Sequence, residues 1–388
     1  MTGPLAGLRV LELAGLGPGP FAAMLLADLG ADVVRVDRPV PAGLLLGTGA
    51  RADIVNRGKR SIAVDLKAPD GRDLVLDLVE RSDVLIEGYR PGVAERLGLG
   101  PTPCLARNAK LVYGRMTGWG QDGPLAPVAG HDIDYVALTG ALWATGRADE
   151  RPVAALNLLG DYAGGSMFMV MGVLAALFEA QRSGTGQIVD AAMVDGAAVL
   201  TTMFTALAGM GAWDLTSRGV NALDSGAPFY DVYTCSDGRF VAVGALEPQF
   251  YAQLVELTGF RAGERDRLQQ PPQAQWADHK RQWETLWARR SRDEWAELLG
   301  GTDACVQPVL DWSERLAHPH LVARETFVEV DGVVQPAPAP RLSRTPGSVQ
   351  GRPPHPGEHT RVVAAELGLT DEQVQLLLDR GALTEGAS

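Results

Sequence analysis

The chain has 388 residues and a formal charge of −12, the opposite balance to that of a protein that coats phosphates, so no nucleic acid is expected as a partner. An apolar fraction of 46% with 21% charged residues is that of an ordinary globular protein, at a length that favours two domains over one. The three cysteines, Cys104, Cys235 and Cys305, are far apart with no CxxC pair, which points to a reducing, cytoplasmic setting and away from structural zinc.

The N-terminal sequence shows no basic region ahead of a long apolar core, so no signal peptide is read. Leu8 to Ala14 is a short apolar strand, followed by the turn GLGPGP, the helix FAAMLLADLGA and the strand DVVRVDRP. This is a strand–helix–strand unit with parallel strands. A second cycle follows in SIAVDL, GRDLVLDLVERS and DVLIEGY, and KLVYGRMTG adds one more strand. Helical spacing runs from Ala163 to Gln181, where RSGTGQ stops it, and again from Val189 to Gly211. The most apolar part, Met167 to Leu177, is too short to cross a bilayer, so no membrane is expected as a partner.

Composition changes near Ser217, and PFYDVYTCSDGRFVAVGAL reads as a β-hairpin turning at SDG, before Trp-rich helical sequence. The proline-rich VVQPAPAPRLSRTPGSVQGRPPHPGEHT reads as extended and loop-like, and TDEQVQLLLDRGAL closes the chain as an amphipathic helix. The domain reading is a large α/β domain over 1–190, a linker helix over 191–225, a small α+β domain over 226–312, and a return linker with the rest of the large domain over 313–388.

Three features carry chemistry. GLGPGP with Asp37 some way downstream imitates a dinucleotide fingerprint, but Pro20 occupies the small-residue position and Pro18 lacks the N–H a phosphate needs. The cluster NRGKRSIAVDLK offers Arg57, Lys59, Arg60 and Lys67, with Arg38 and Arg90 on either side, either for a polyphosphate or as a solvated charged loop. The acid–base candidates are His131 in GHDIDY, Asp161 in LNLLGDYAGGSMF and Glu247 in GALEPQFY. Alone, Asp161 would read as a helix N-cap, His131 as a structural histidine and Glu247 as a turn residue. No GxSxG, HExxH or EF-hand spacing occurs, so neither a serine hydrolase nor a metal site is expected.

Together, GLRVLELAGLGPGPFAAMLLADLGADVVRVDRP, NRGKRSIAVDLK, DVLIEGYRPGV, AGHDIDYVALTGAL, LNLLGDYAGGSMF and LDSGAPFYDVY resemble, in order, the family III CoA-transferase superfamily, and within it the α-methylacyl-CoA racemases. The resemblance implies a large Rossmann-like α/β domain and a smaller α+β domain joined by long linkers, in an interlocked, ring-like homodimer with sites shared between subunits. It implies an acyl-CoA thioester as substrate and no separate cofactor, CoA being part of the substrate. Epimerisation of 2-methylacyl-CoA thioesters, in fatty acid and lipid metabolism, is the implied activity. The alternative is CoA transfer between carboxylic acids through an aspartyl-CoA intermediate.

On this resemblance His131 and Asp161 are the acid–base pair, supported by Asn157 and Glu247. Arg38 and Arg90 lie near the adenosine phosphates, Val64, Asp65, Leu66 and Lys67 at the adenine end, and Gly130, Asp132 and Tyr135 also at the CoA ester. Removing a thioester α-proton leaves an enolate that needs hydrogen bonds, expected from N–H groups near Asp161 and Tyr162. Inverting the carbon then needs a base on one face and an acid on the other, with apolar surroundings raising the pKa of Asp161.

Overall fold

The computed structural model describes residues 3–39, 52–261 and 269–386. The chain opens with β1 (Arg9–Leu13), α1 (Pro18–Asp28), β2 (Asp32–Asp37), β3 (Arg60–Val64), α2 (Pro69–Glu80), β4 (Val84–Glu87) and β5 (Val112–Thr117). Next come α3 (Asp132–Leu138), a π-helical segment (Leu158–Met167) running into α4 (Phe168–Ser183), β6 (Ile188–Ala192) and α5 (Met193–Leu200). Then follow β7 (Tyr230–Thr234), β8 (Phe240–Gly244), α6 (Pro248–Thr258), α7 (Trp276–Trp287), α8 (Arg292–Leu299) and β9 (Val306–Pro308). The chain ends with β10 (Phe327–Val330), β11 (Val333–Pro336), α9 (Thr360–Glu366), α10 (Asp371–Asp379) and β12 (Leu383–Thr384).

These elements form two compact units, one of Met1–Thr139, Leu156–Leu200 and Val322–Ser388, the other of Gly140–Ala155 and Thr201–Leu321. Residues 140–155, within the span read as the large domain, therefore group with the second unit. There Arg147 pairs with the buried Asp231 at 2.5 Å, and Arg218 Nε donates to the Arg147 carbonyl.

The first unit holds a seven-stranded sheet in the order β12-β3-β2-β1-β4-β5-β6. All neighbours are parallel except β12, which pairs antiparallel with β3. Alternate residues of each strand face opposite sides, and both sides are covered. Val10, Val33, Val84 and Ile86 pack with Ala22 and Leu26 of α1 and Met169 and Val173 of α4. Leu11, Val34, Ile62 and Leu85 pack with Leu74, Val75 and Leu78 of α2 and with Val363 and Val374. Burial on both faces is why these strands read as nearly continuous apolar runs. Strand order runs one way from β1 to β3 and the other way from β4 to β6, which places a topological switch point between β1 and β4. In such sheets ligands bind beyond the strands' C-terminal ends at that point.

Two expectations change here. Leu158–Ser183 forms one 26-residue helical run, long and apolar enough by length and composition to cross a membrane, where the sequence reading took helical spacing over 163–181 and only Met167 to Leu177 as its apolar part. Met169, Val173 and Ala176 of that run are buried against the sheet, the packing of a core helix. The segment read as extended linker begins with a strand: β10 and β11 pair antiparallel around Asp331 and Gly332, whose φ values of 51° and 73° make the tight turn.

In the second unit β7, β8 and β9 form an antiparallel sheet, β7 and β8 being the hairpin expected at SDG. Its core is aromatic. Phe260 stacks on Trp283 at 3.8 Å between centroids, and Trp287 lies between Trp283 and Trp295. The Trp-rich helical sequence of this part is thus core packing, with Trp283, Trp287 and Trp295 all buried.

Candidate active site

The GLGPGP turn after β1 brings the site together. Gly17 has a φ of 69°, which favours glycine, and a Cβ there would stand 3.6 Å from Asp161 Oδ2. Pro18 then begins α1, where its missing N–H costs nothing. A pocket of about 220 Å³ opens beside this turn, at the C-terminal ends of β1 and β4, lined among others by Gly17, Gly88, Gly130, His131, Tyr135 and Asp161. It sits at the switch point, where the first unit's topology calls for a ligand.

His131 is the exposed N-cap of α3, its own N–H donating to Asp134 at 2.9 Å. Asp161 is not a helix N-cap. It lies inside the π-helical segment, half-buried. Burial pushes its carboxyl above the ordinary aspartate value and the charge of Asp132 adds to the rise, while the hydrogen bond from Asn157 Nδ2 (3.1 Å) and the influence of His131 oppose it. Leu156, just before Asn157, has a φ of 54°, an uncommon conformation for that residue. His131, Asp161 and Asn157 are therefore gathered in one place. Glu247 lies in the second unit, exposed, as the N-cap of α6, and is not among the residues lining this pocket.

Close glycine contacts define the π segment. A Cβ on Gly164 would come within 2.7 Å of Ala197 N, and one on Gly196 within 1.9 Å of the Gly164 carbonyl, so the segment and α5 touch backbone to backbone. The GDYAGGS run carried this signal as glycines inside a helical pattern. One expectation is corrected: the Asp161 N–H is not free for an enolate oxygen, because the carboxylate of Asp132 accepts it at 2.7 Å.

The expected CoA residues divide into engaged and available groups. Asp132 is buried and committed to the π segment, accepting from Gly160 N–H as well. Tyr135 is buried, its hydroxyl donates to the Gly130 carbonyl, and burial pushes its pKa up to about 12. A Cβ on Gly130 would meet the Tyr135 ring at 2.7 Å, so glycine there is a packing requirement. Val64 is fully buried at the end of β3, Asp65 accepts from Lys67 N–H, and Leu66 packs on the core. The Lys67 ammonium, Arg38 after β2 and Arg90 after β4 are exposed, and among the described residues no ion pair engages them.

The rest of the basic cluster is neither a phosphate site nor a solvated loop. Arg57 makes a two-pronged contact with Asp28 and also donates to Gln335 and the Pro336 carbonyl. Arg60 pairs with Asp32 and Glu366. Buried Lys59 donates to Glu12 (2.6 Å), Asn56 and the Pro20 carbonyl, and burial lowers its pKa to about 8 against the pull of Glu12. Asp37, the would-be ribose partner, is taken by Ser61 and Arg35. These cations are matched by internal carboxylates, which leaves Arg38, Lys67 and Arg90 facing solvent around the strand ends.

Comparison with known proteins agrees with this architecture. The chain matches the family model described as CoA-transferase family III over residues 5–360. It is 46% identical to the α-methylacyl-CoA racemase of Mus musculus over 97% of both chains, and 44% identical to that of Homo sapiens over 96% of both. Its fold is similar to the crystal structure of a CAIB/BAIF family protein from Brucella suis, with a TM-score of 0.80 and 28% identity, over 95% of this chain and all of that one. With its sequence and its fold in agreement, the chain belongs to CoA-transferase family III.

Proposed function

We propose that this protein epimerises 2-methylacyl-CoA thioesters by moving the α-proton between His131 and Asp161 through an enolate. The observation that carries the reading is one pocket lined by an imidazole and by a carboxyl whose pKa burial has raised. A protonated carboxyl donates and a neutral imidazole accepts, which is what inversion at carbon requires. The similarity to racemases named in mouse and human supports the same reading. The CoA portion belongs to the substrate, and no separate cofactor takes part.

The test is incubation with one epimer of a 2-methylacyl-CoA in heavy water, with enzyme and substrate alone. Deuterium enters the α-carbon and the thioester stays intact. Exchange that waits for an added carboxylic acid, or CoA passing to that acid without α-exchange, establishes the transferase reading instead.

Arg38, Lys67 and Arg90 supply the positive charge for the CoA phosphates. Arg38→Ala or Arg90→Ala removes charge-assisted bonds worth about 1.5–3 kcal/mol, raising KM for the CoA ester roughly ten- to hundredfold. The corresponding pantetheine ester, which lacks the nucleotide phosphates, is turned over with unchanged KM; an equal loss on both esters removes the phosphate role. The working form is an interlocked homodimer in which Glu247 serves a shared site, and a folded monomer in sedimentation at nanomolar concentration overturns that assembly.

A further inference from the structure

Asp132 follows His131 in the chain, yet its side chain serves the other member of the pair. One oxygen, Oδ2, accepts from Gly160 N–H at 2.6 Å and from Asp161 N–H at 2.7 Å. Glycine at 160 makes this possible, since a Cβ there would lie 2.6 Å from that oxygen. From the other end of the same residue, the fully buried Ser166 Oγ contacts the Asp161 carbonyl at 3.0 Å and the Pro18 carbonyl at 2.8 Å. The Asp161 backbone is thus held at its N–H from α3 and at its carbonyl, through Ser166, to the first residue of α1.

We propose that Asp132 is a positioning residue that couples the two proton-transfer groups, fixing the backbone of Asp161 to the residue next to His131. The inference rests on the reading of His131 and Asp161 as an acid–base pair. A two-face proton transfer tolerates little change in the separation of its groups, and a displacement of about 1 Å can cost on the order of a hundredfold in rate. The carboxylate also places a fixed negative charge beside Asp161, favouring the protonated acid. Among the described residues, the groups acting on the Asp161 carboxyl are Asp132, His131 and the neutral Asn157, and Tyr135 of α3, whose own pKa the Asp161 charge helps to raise, faces it across the pocket as a neutral phenol. None comes from α1, α4 or α5, which pack against the same segment.

Two variants separate position from charge. Asp132→Asn keeps an acceptor oxygen but loses the charge. It should lower kcat about ten- to hundredfold with little change in KM, and move the whole pH–activity bell to lower pH, because the pair then holds its protons less tightly. Gly160→Ala keeps the charge and drives the carboxylate off the N–H groups, so it should lower kcat similarly while moving the bell less. Both are measured beside wild type by α-proton exchange in heavy water, with circular dichroism to confirm folding. A folded Asp132→Asn with unchanged kcat and an unmoved bell overturns the proposal, as does a rise in KM alone, which would place Asp132 on the CoA portion. If Asp132→Asn does not fold, a folded Gly160→Ala with wild-type kcat overturns it equally. Wild-type exchange with these unaltered variants sinks this inference alone, whereas absence of exchange in wild type removes the acid–base reading and this inference with it.

Discussion

Asp161→Asn stops racemisation, with the rate falling roughly a hundred- to ten-thousandfold, the usual contribution of a positioned general acid or base. Asparagine keeps the shape of the side chain and an oxygen able to accept from Asn157 Nδ2, the contact now at 3.1 Å, but it neither takes nor gives the α-proton. If His131 and Asp161 stand on opposite faces of the α-carbon, this variant still lets His131 exchange the proton of one epimer with solvent. His131→Ala gives the mirror pattern, exchanging only the other epimer. NMR of each pure epimer in heavy water with each variant reads this directly. Full racemisation by Asp161→Asn, or exchange of both epimers by both variants, points to a different base. On the proposed acid–base reading the active form holds one proton between the pair, so activity should fall when a second proton is taken up and when the last one leaves. The two limits belong to the pair and not to either residue.

Much of this was legible because parallel strands buried on both faces leave an apolar signature that needs no partner to be seen. The runs RVLEL (Arg9–Leu13) and DVVRVD (Asp32–Asp37) sit where the sequence puts them. His131 and Asp161 stood out as acid–base candidates, but local pattern alone reads them as a structural histidine and a helix N-cap; the family resemblance paired them, and their proximity is a tertiary fact. What escaped had long-range causes. Whether Arg57 and Lys59 meet solvent, phosphate or carboxylate depends on Asp28, Gln335 and Glu12, which no local pattern couples to them. The π geometry around Asp161 arises from α5 pressing Gly196 onto Gly164, again a contact between distant segments. The β10–β11 hairpin is a different case, since Asp331-Gly332 between alternating residues is a local turn signal that the surrounding prolines obscured. Strand β12 is two residues long, too short for any periodicity to show.

Arg57→Met destabilises the first unit by about 3–5 kcal/mol at neutral pH, the cost of leaving one member of a buried ion pair without its partner. Arg57 and Asp28 are both almost fully buried, the closest contact is 2.5 Å, and the same guanidinium ties residues 335 and 336 of the returning chain to α1. Methionine fills much of the volume, so the loss isolates charge and hydrogen bonding from packing. The pH dependence has a definite sign. Burial already raises the pKa of Asp28 above its ordinary value, with Arg57 holding it down, and removing Arg57 raises it further. A group whose folded pKa is raised binds its proton more tightly in the folded state. Its contribution is therefore favourable below the unfolded pKa and is lost as pH rises through the folded one. The variant's deficit should be largest at neutral pH and shrink on acidification, as Asp28 becomes neutral in the folded protein. Urea denaturation of wild type and variant at pH 7.5 and 5.5 measures this. Adding Asp28→Asn to Arg57→Met should recover more than half of the loss at pH 7.5, because the uncompensated charge is gone. The KM for the CoA ester should not change in either variant, since Arg57 serves Asp28 and not phosphate. A deficit equal at both pH values and unrelieved in the double variant would assign the cost to lost anchoring of the returning chain, and a raised KM would return Arg57 to the phosphate site.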